Sequence, residues 1–225
     1  MSLWVFGDSF SVASKFQEQP VPYTLWTDLL AYGLGYNEHY NYAEWGVAND
    51  YIIKQFISKL PEMKPGDCVV LQLTNSNRQW FFKDVPHLAN YFTKGLEKDL
   101  TAEQIHAIKM YITHLQRDEI DILRYTLTGL AIERISQQYK NLRILMLPGF
   151  LHVDGVQGAL VEVCDGEFVN TEIIQPYYDR HKGYDPRPNH LSKNNHEILA
   201  SKIQKFFTHG HRVNLTTDFE RNFLE

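Results

Sequence analysis

Cysteine is scarce in this chain: Cys68 and Cys164 are the only two among 225 residues. Two cysteines, one of them inside an apolar run, point to free thiols and exclude a disulfide framework as the source of stability. No stretch approaches the roughly 18 consecutive apolar residues that mark a membrane-spanning helix, so neither a transmembrane segment nor a membrane partner is expected. The first apolar run begins at Leu3 with no basic region, apolar core or cleavage site ahead of it. A secretory leader is therefore not expected, and the expected location is the cytoplasm, with lysis or a non-standard route as the way out of the cell. Basic charge is also limited. Lys and Arg number 22 against 27 Asp and Glu, a formal charge of −5, and no basic stripe offers a track for nucleic acid. HExxH, paired CxxC, a phosphate-binding loop and a Gly-x-Ser-x-Gly elbow are all missing. Asp179, His181, Asp185, His190 and His196 cluster in sequence, but their spacings match no zinc pattern. Neither a metal nor an organic cofactor is expected.

What is present fits an ordinary globular protein, with 44% hydrophobic and 22% charged residues. The length suits one α/β domain, or a domain with one sizeable insertion. Leu3-Trp4-Val5-Phe6 is a short bulky apolar run broken at once by Gly7-Asp8-Ser9-Phe10-Ser11, which predicts a buried strand ending in a tight bend. Helical spacing follows over 23–32, then a strand over 39–43, then a helix over 51–60 with Asn49 or Asp50 at its start. Residues 68–73 form the most strand-like run of the chain. A helix over 118–139, a strand over 142–147 and a last helix over 192–207 complete a repeated strand, bend and helix alternation, the pattern of an α/β sheet. On the 118–139 helix, Ile122, Leu123, Leu127, Leu130, Ile132 and Ile135 are expected to form the packing face. Thr101, three residues before Gln104, is a candidate capping box inside a stretch of about 76–115 that reads as an insertion. The domain is expected to span 1–208, with a short strand near 168–174 and a polar tail over 209–225.

Ser9 falls just past the C-terminal end of the first strand, where open parallel sheets place their ligand sites. It is placed either to act as a nucleophile or, with Asp8 or Ser11, to cap a first helix. Gly46, in Asn41-Tyr42-Ala43-Glu44-Trp45-Gly46, reads by itself as a turn glycine between strand and helix. Asn75 ends the third strand and reads by itself as a side-chain turn, and Asn77 is a substitute for it. A serine nucleophile needs a base to take its proton, and His190, just before the last helix, is a candidate.

Gly7-Asp8-Ser9-Phe10 resembles the opening motif of the SGNH or GDSL hydrolases, with Phe where that motif usually has Leu. Gly46, Asn75 and His190 are similar to the later blocks of the same family, and they follow in its order. The third block departs from the pattern, with Leu73 and Ser76 where the family has Gly and Asp. The fourth does too, with Arg187 in place of the family's aspartate, which leaves Asp185 or a backbone carbonyl to orient His190. The resemblance implies a three-layer α/β/α sandwich with a mainly parallel five-stranded sheet in flavodoxin-like order. It further implies ester hydrolysis through an acyl-enzyme on Ser9, with His190 as base and acid, Asp185 as the triad acid, and an oxyanion hole from Ser9, Gly46 and Asn75. Asp8, Arg78, Trp80 and Phe81 are expected at the substrate. O-acetyl groups on a carbohydrate or a short acyl ester of a small molecule are the expected substrates, with a non-catalytic glycan- or protein-binding module and an acyltransferase as rivals. No oligomeric state follows from the sequence.

Overall fold

The computed structural model describes residues 1–12, 24–81, 100–163 and 190–220. Four strands, β1 (Ser2–Phe6), β2 (Glu38–Asn41), β3 (Cys68–Gln72) and β4 (Arg143–Leu147), form one sheet in the order β2-β1-β3-β4. Every pairing is parallel. This is the mixed α/β architecture that the alternation predicts, in the expected strand order. Among the described residues the sheet has four strands where five are expected, and the strand expected near 168–174 falls on residues outside them.

The layers follow from side-chain alternation along the strands. Leu3 and Val5 of β1 join Cys68 and Val70 of β3 in a core closed by α1 (Trp26–Gly33) and by α5 (Lys193–His209). Trp4 and Phe6 point the other way, with Val69 and Leu71, into a core closed by α2 (Asn49–Lys59) and α4 (Asp118–Gln138). All five residues of β1 are buried, as expected of a central parallel strand covered on both faces. Cys68 is buried too, its Sγ 3.2 Å from the Tyr36 hydroxyl. Burial pushes its thiol pKa up, which suits an inert thiol. Cys164 lies outside the described residues.

Three expectations are revised. Asn49 does not cap α2: the cap is Ala48, without a side-chain bond, because the Asn49 amide is engaged by the end of β3. On α4 the inward residues are Asp121, Tyr125 and Ile132, whereas Ile122, Leu123, Leu127 and Leu130 are each more than half exposed. Apolar residues surround this helix, so periodicity alone cannot choose its face. Hydrogen bonds do: Tyr125 donates to the Leu151 carbonyl at 2.8 Å, and buried Asp121 accepts from Gln79 and Gln116, each at 2.7 Å. Finally, residues 209–220, read as part of a polar tail, contribute a strand. β6 (Val213–Asn214) pairs in parallel with β5 (Val156–Gln157), and Val213 and Leu215 are fully buried.

Other boundaries agree with the sequence. Thr101 and Gln104 form the reciprocal capping box of α3 (Ala102–His114). Ser192 caps α5 by accepting from the Asn195 N–H at 3.1 Å, and Gly210 ends that helix in the left-handed region. Among the described residues no helix is long and apolar enough to cross a membrane.

Candidate active site

β1 lies between β2 and β3, so the loops that leave their C-terminal ends gather at one edge of the sheet. Those loops carry Ser9, Gly46 and Asn75.

The first loop is a tight turn held from within. The Ser11 N–H donates to the Asp8 carbonyl at 3.0 Å, the Phe10 N–H to Asp8 Oδ1 at 3.1 Å, and the Asp8 N–H to Gln72 Oε1 at 3.0 Å. The second loop is sewn to the first: the Glu44 N–H donates to the Gly7 carbonyl at 3.0 Å and Asn41 Nδ2 to the Ser11 carbonyl at 2.7 Å. That loop reaches α2 through Gly46, whose φ of +72° is the left-handed conformation open to glycine. Farther along α2, the Tyr51 hydroxyl donates to Glu44 Oε1 at 2.8 Å. Burial and that carboxylate push the phenol pKa up to about 12, so Tyr51 keeps its proton as a donor.

The third loop is tied to both others. Asn49 Oδ1 accepts from the Thr74 N–H at 2.8 Å, and its Nδ2 donates to the carbonyls of Thr74 at 3.2 Å and Asn75 at 3.4 Å. The Thr74 hydroxyl donates to Asp8 Oδ2, which also accepts from Arg78 Nη1 at 2.9 Å. Asn75 Oδ1 accepts from the Asn77 N–H at 3.2 Å, a side-chain turn at the end of the strand. Replacing Asn49 with alanine is expected to destabilise the fold by about 2 kcal/mol, because the Thr74 N–H loses its buried acceptor. A lowered urea midpoint at unchanged slope would register this.

His190 arrives from far along the chain. Leu191, 1% exposed, anchors it, and α5 begins three residues later. His190 Nε2 stands 3.0 Å from Ser9 Oγ, within hydrogen-bond reach for a base and its nucleophile. The Phe10 ring packs against the imidazole with centroids 5.1 Å apart, so the Phe of the first motif serves as a wall of the site. His196 is buried on α5, where its Nδ1 accepts the Trp26 N–H at 3.2 Å. Among the described residues no cluster of His, Cys, Asp and Glu could hold a metal ion; Asp179 and His181 lie outside them.

The remaining candidates are distributed unevenly. Asp8 is fully buried with both oxygens engaged. Arg78 neutralises it from a partly exposed position, its side chain 20% accessible. Trp80 packs edge-on against Tyr51 at 5.2 Å and Phe81 against Tyr111 at 5.3 Å. Asp185 lies outside the described residues. Sequence reasoning missed Gln72, Thr74 and Asn49 as site residues. The one available signal was Gln72 itself, a polar side chain inside the apolar run of β3.

No protein-family model and no curated protein matches the sequence. Among solved structures, the chain is similar to one from Desulfitobacterium hafniense DCB-2, named "putative lipolytic protein of G-D-S-L family", at 13% identity and a TM-score of 0.39, over 91% of this chain and 98% of that one.

Proposed function

We propose that the protein is a serine esterase that removes short acyl groups, O-acetyl in particular, from a carbohydrate or small-molecule alcohol. The observation that carries this reading is the 3.0 Å approach of His190 Nε2 to Ser9 Oγ at the C-terminal edge of a parallel sheet. His190 takes the Ser9 proton as Oγ attacks the ester carbonyl, and the carbonyl electron pair moves onto oxygen. The N–H groups of Ser9 and Gly46 and the amide of Asn75 receive that oxyanion. Collapse breaks the C–O bond, His190 protonates the departing alcohol, and water then hydrolyses the acyl-enzyme with the same base. Asp185 is proposed to orient the imidazole from its far nitrogen. Arg78, Trp80 and Phe81 are proposed to meet the substrate, and Asp8 acts through Arg78.

The test is labelling by a fluorophosphonate probe beside turnover of p-nitrophenyl acetate, followed by acetate release from acetylated oligosaccharides. Stoichiometric labelling on Ser9 with ester turnover supports the reading, and acetate release supports the carbohydrate class. A protein that neither labels nor turns over ester removes the esterase and moves attention to glycan or protein binding.

A further inference from the structure

Gln72 is an unusual occupant of its position. It ends the central strand β3 with 0% exposure, on the face that α1 and α5 cover. A buried amide there costs free energy unless its hydrogen bonds are made, and an apolar residue would pack at lower cost. Its bonds are made, and their partners are specific. Oε1 accepts from the Asp8 N–H at 3.0 Å and from the Ser11 hydroxyl at 3.1 Å, while Nε2 donates to the Leu73 carbonyl at 2.6 Å.

The neighbouring backbone is shaped around this side chain. A Cβ on Gly7 would stand 2.8 Å from Gln72 Oε1, and one on Gly149 would stand 3.1 Å from Nε2 and 2.1 Å from the Leu73 oxygen. Glycines beyond the ends of β1 and β4 thus leave the space into which the amide fits. The same oxygen grips both ends of the segment that holds Ser9, since Asp8 precedes it and Ser11 follows it by two.

We infer that Gln72 is a positioning residue for Ser9: it fixes the nucleophile turn to β3, the strand whose end carries Asn75, and so sets Ser9 Oγ against His190. This rests on the reading of Ser9 as a nucleophile. An error of about 1 Å in such a placement can cost on the order of 100-fold in rate.

The experiment compares Gln72→Leu and Gln72→Glu with wild type, measuring the second-order rate of fluorophosphonate labelling and p-nitrophenyl acetate kinetics between pH 5 and 8, at a temperature where melting curves show each variant folded. Gln72→Leu is expected to label roughly 10- to 100-fold more slowly, with kcat falling and KM held within about twofold. Gln72→Glu supplies a sharper readout. Its protonated carboxyl can accept from Asp8 and Ser11 and donate to the Leu73 carbonyl, whereas its carboxylate turns a second oxygen against that carbonyl. The ratio of its labelling rate to that of wild type is therefore expected to rise at least about tenfold as the pH falls. A ratio that stays flat, or a folded Gln72→Leu variant that labels within twofold of wild type, overturns the role of Gln72 alone. If Gln72→Leu does not fold, the pH profile of Gln72→Glu decides. A wild-type protein that fails to label overturns the nucleophile reading and this role together.

Discussion

Alanine at Ser9 is expected to abolish fluorophosphonate labelling and to lower p-nitrophenyl acetate turnover by about 10⁴- to 10⁶-fold, and alanine at His190 is expected to do nearly the same. Serine near neutral pH is a weak nucleophile, so on the proposed mechanism Ser9 Oγ depends on His190, 3.0 Å away. The base in turn has nothing to activate once the hydroxyl is gone. Two groups that act as one unit are grossly non-additive, and the double variant is expected to be no slower than either single one within about threefold. Measured initial rates for the four proteins check this. Independent losses that multiply would show that the 3.0 Å contact is not used in the reaction. Asp185→Asn extends the same series: a loss approaching 10⁴-fold assigns it as the acid that fixes the imidazole tautomer, and a loss under tenfold leaves a Ser9-His190 dyad.

The second large effect concerns stability. Asp8 is completely buried, and Arg78 supplies its opposite charge at 2.9 Å. Arg78→Met is expected to destabilise the protein by about 3 kcal/mol, because it leaves an uncompensated buried carboxylate. Equilibrium urea unfolding measures the loss. Asp8→Asn in the same chain is expected to restore a substantial part of it, since a neutral amide can still accept from the Phe10 N–H through its oxygen and donate from its nitrogen to the Thr74 hydroxyl oxygen. A double variant as unstable as Arg78→Met alone would show that packing by the arginine stem, and not charge, is what the pair contributes. Because the pair adjoins Ser9, labelling rates belong beside the unfolding curves.

The strands, most helices and the order of the site loops were legible because they depend on local pattern. Leu3 to Phe6 and Cys68 to Leu73 are apolar runs of strand length, and Thr101 with Gln104 is a short-range capping pattern realised as read. The inward face of α4 was not legible, since Leu123, Leu127 and Leu130 rival Tyr125 and Ile132 in hydrophobicity. The choice rests on the Tyr125 bond to Leu151 and on the partners of Asp121, all contributed by other segments. Asn49 failed for the same reason. A local rule makes it a helix cap, while a strand end 25 residues away offers two backbone carbonyls and an N–H. Asp8 was visible as a motif residue, but its burial depends on Thr74 and Arg78. Residues 209–220 look polar, yet two apolar side chains, Val213 and Leu215, are enough to bind them to the domain.

The contact between Ser9 and His190 closes a loop of 181 residues, and α1 and α5 are joined by the bond from the Trp26 N–H to His196, 170 residues apart. Such long closures reward the chain only after their entropy has been met. During synthesis Ser9 emerges 181 residues ahead of His190, so on the proposed mechanism the nascent protein carries an unarmed hydroxyl until α5 has docked. Labelling competence would then serve as a clock for the last step of folding, lagging behind any spectroscopic signal of helix or sheet.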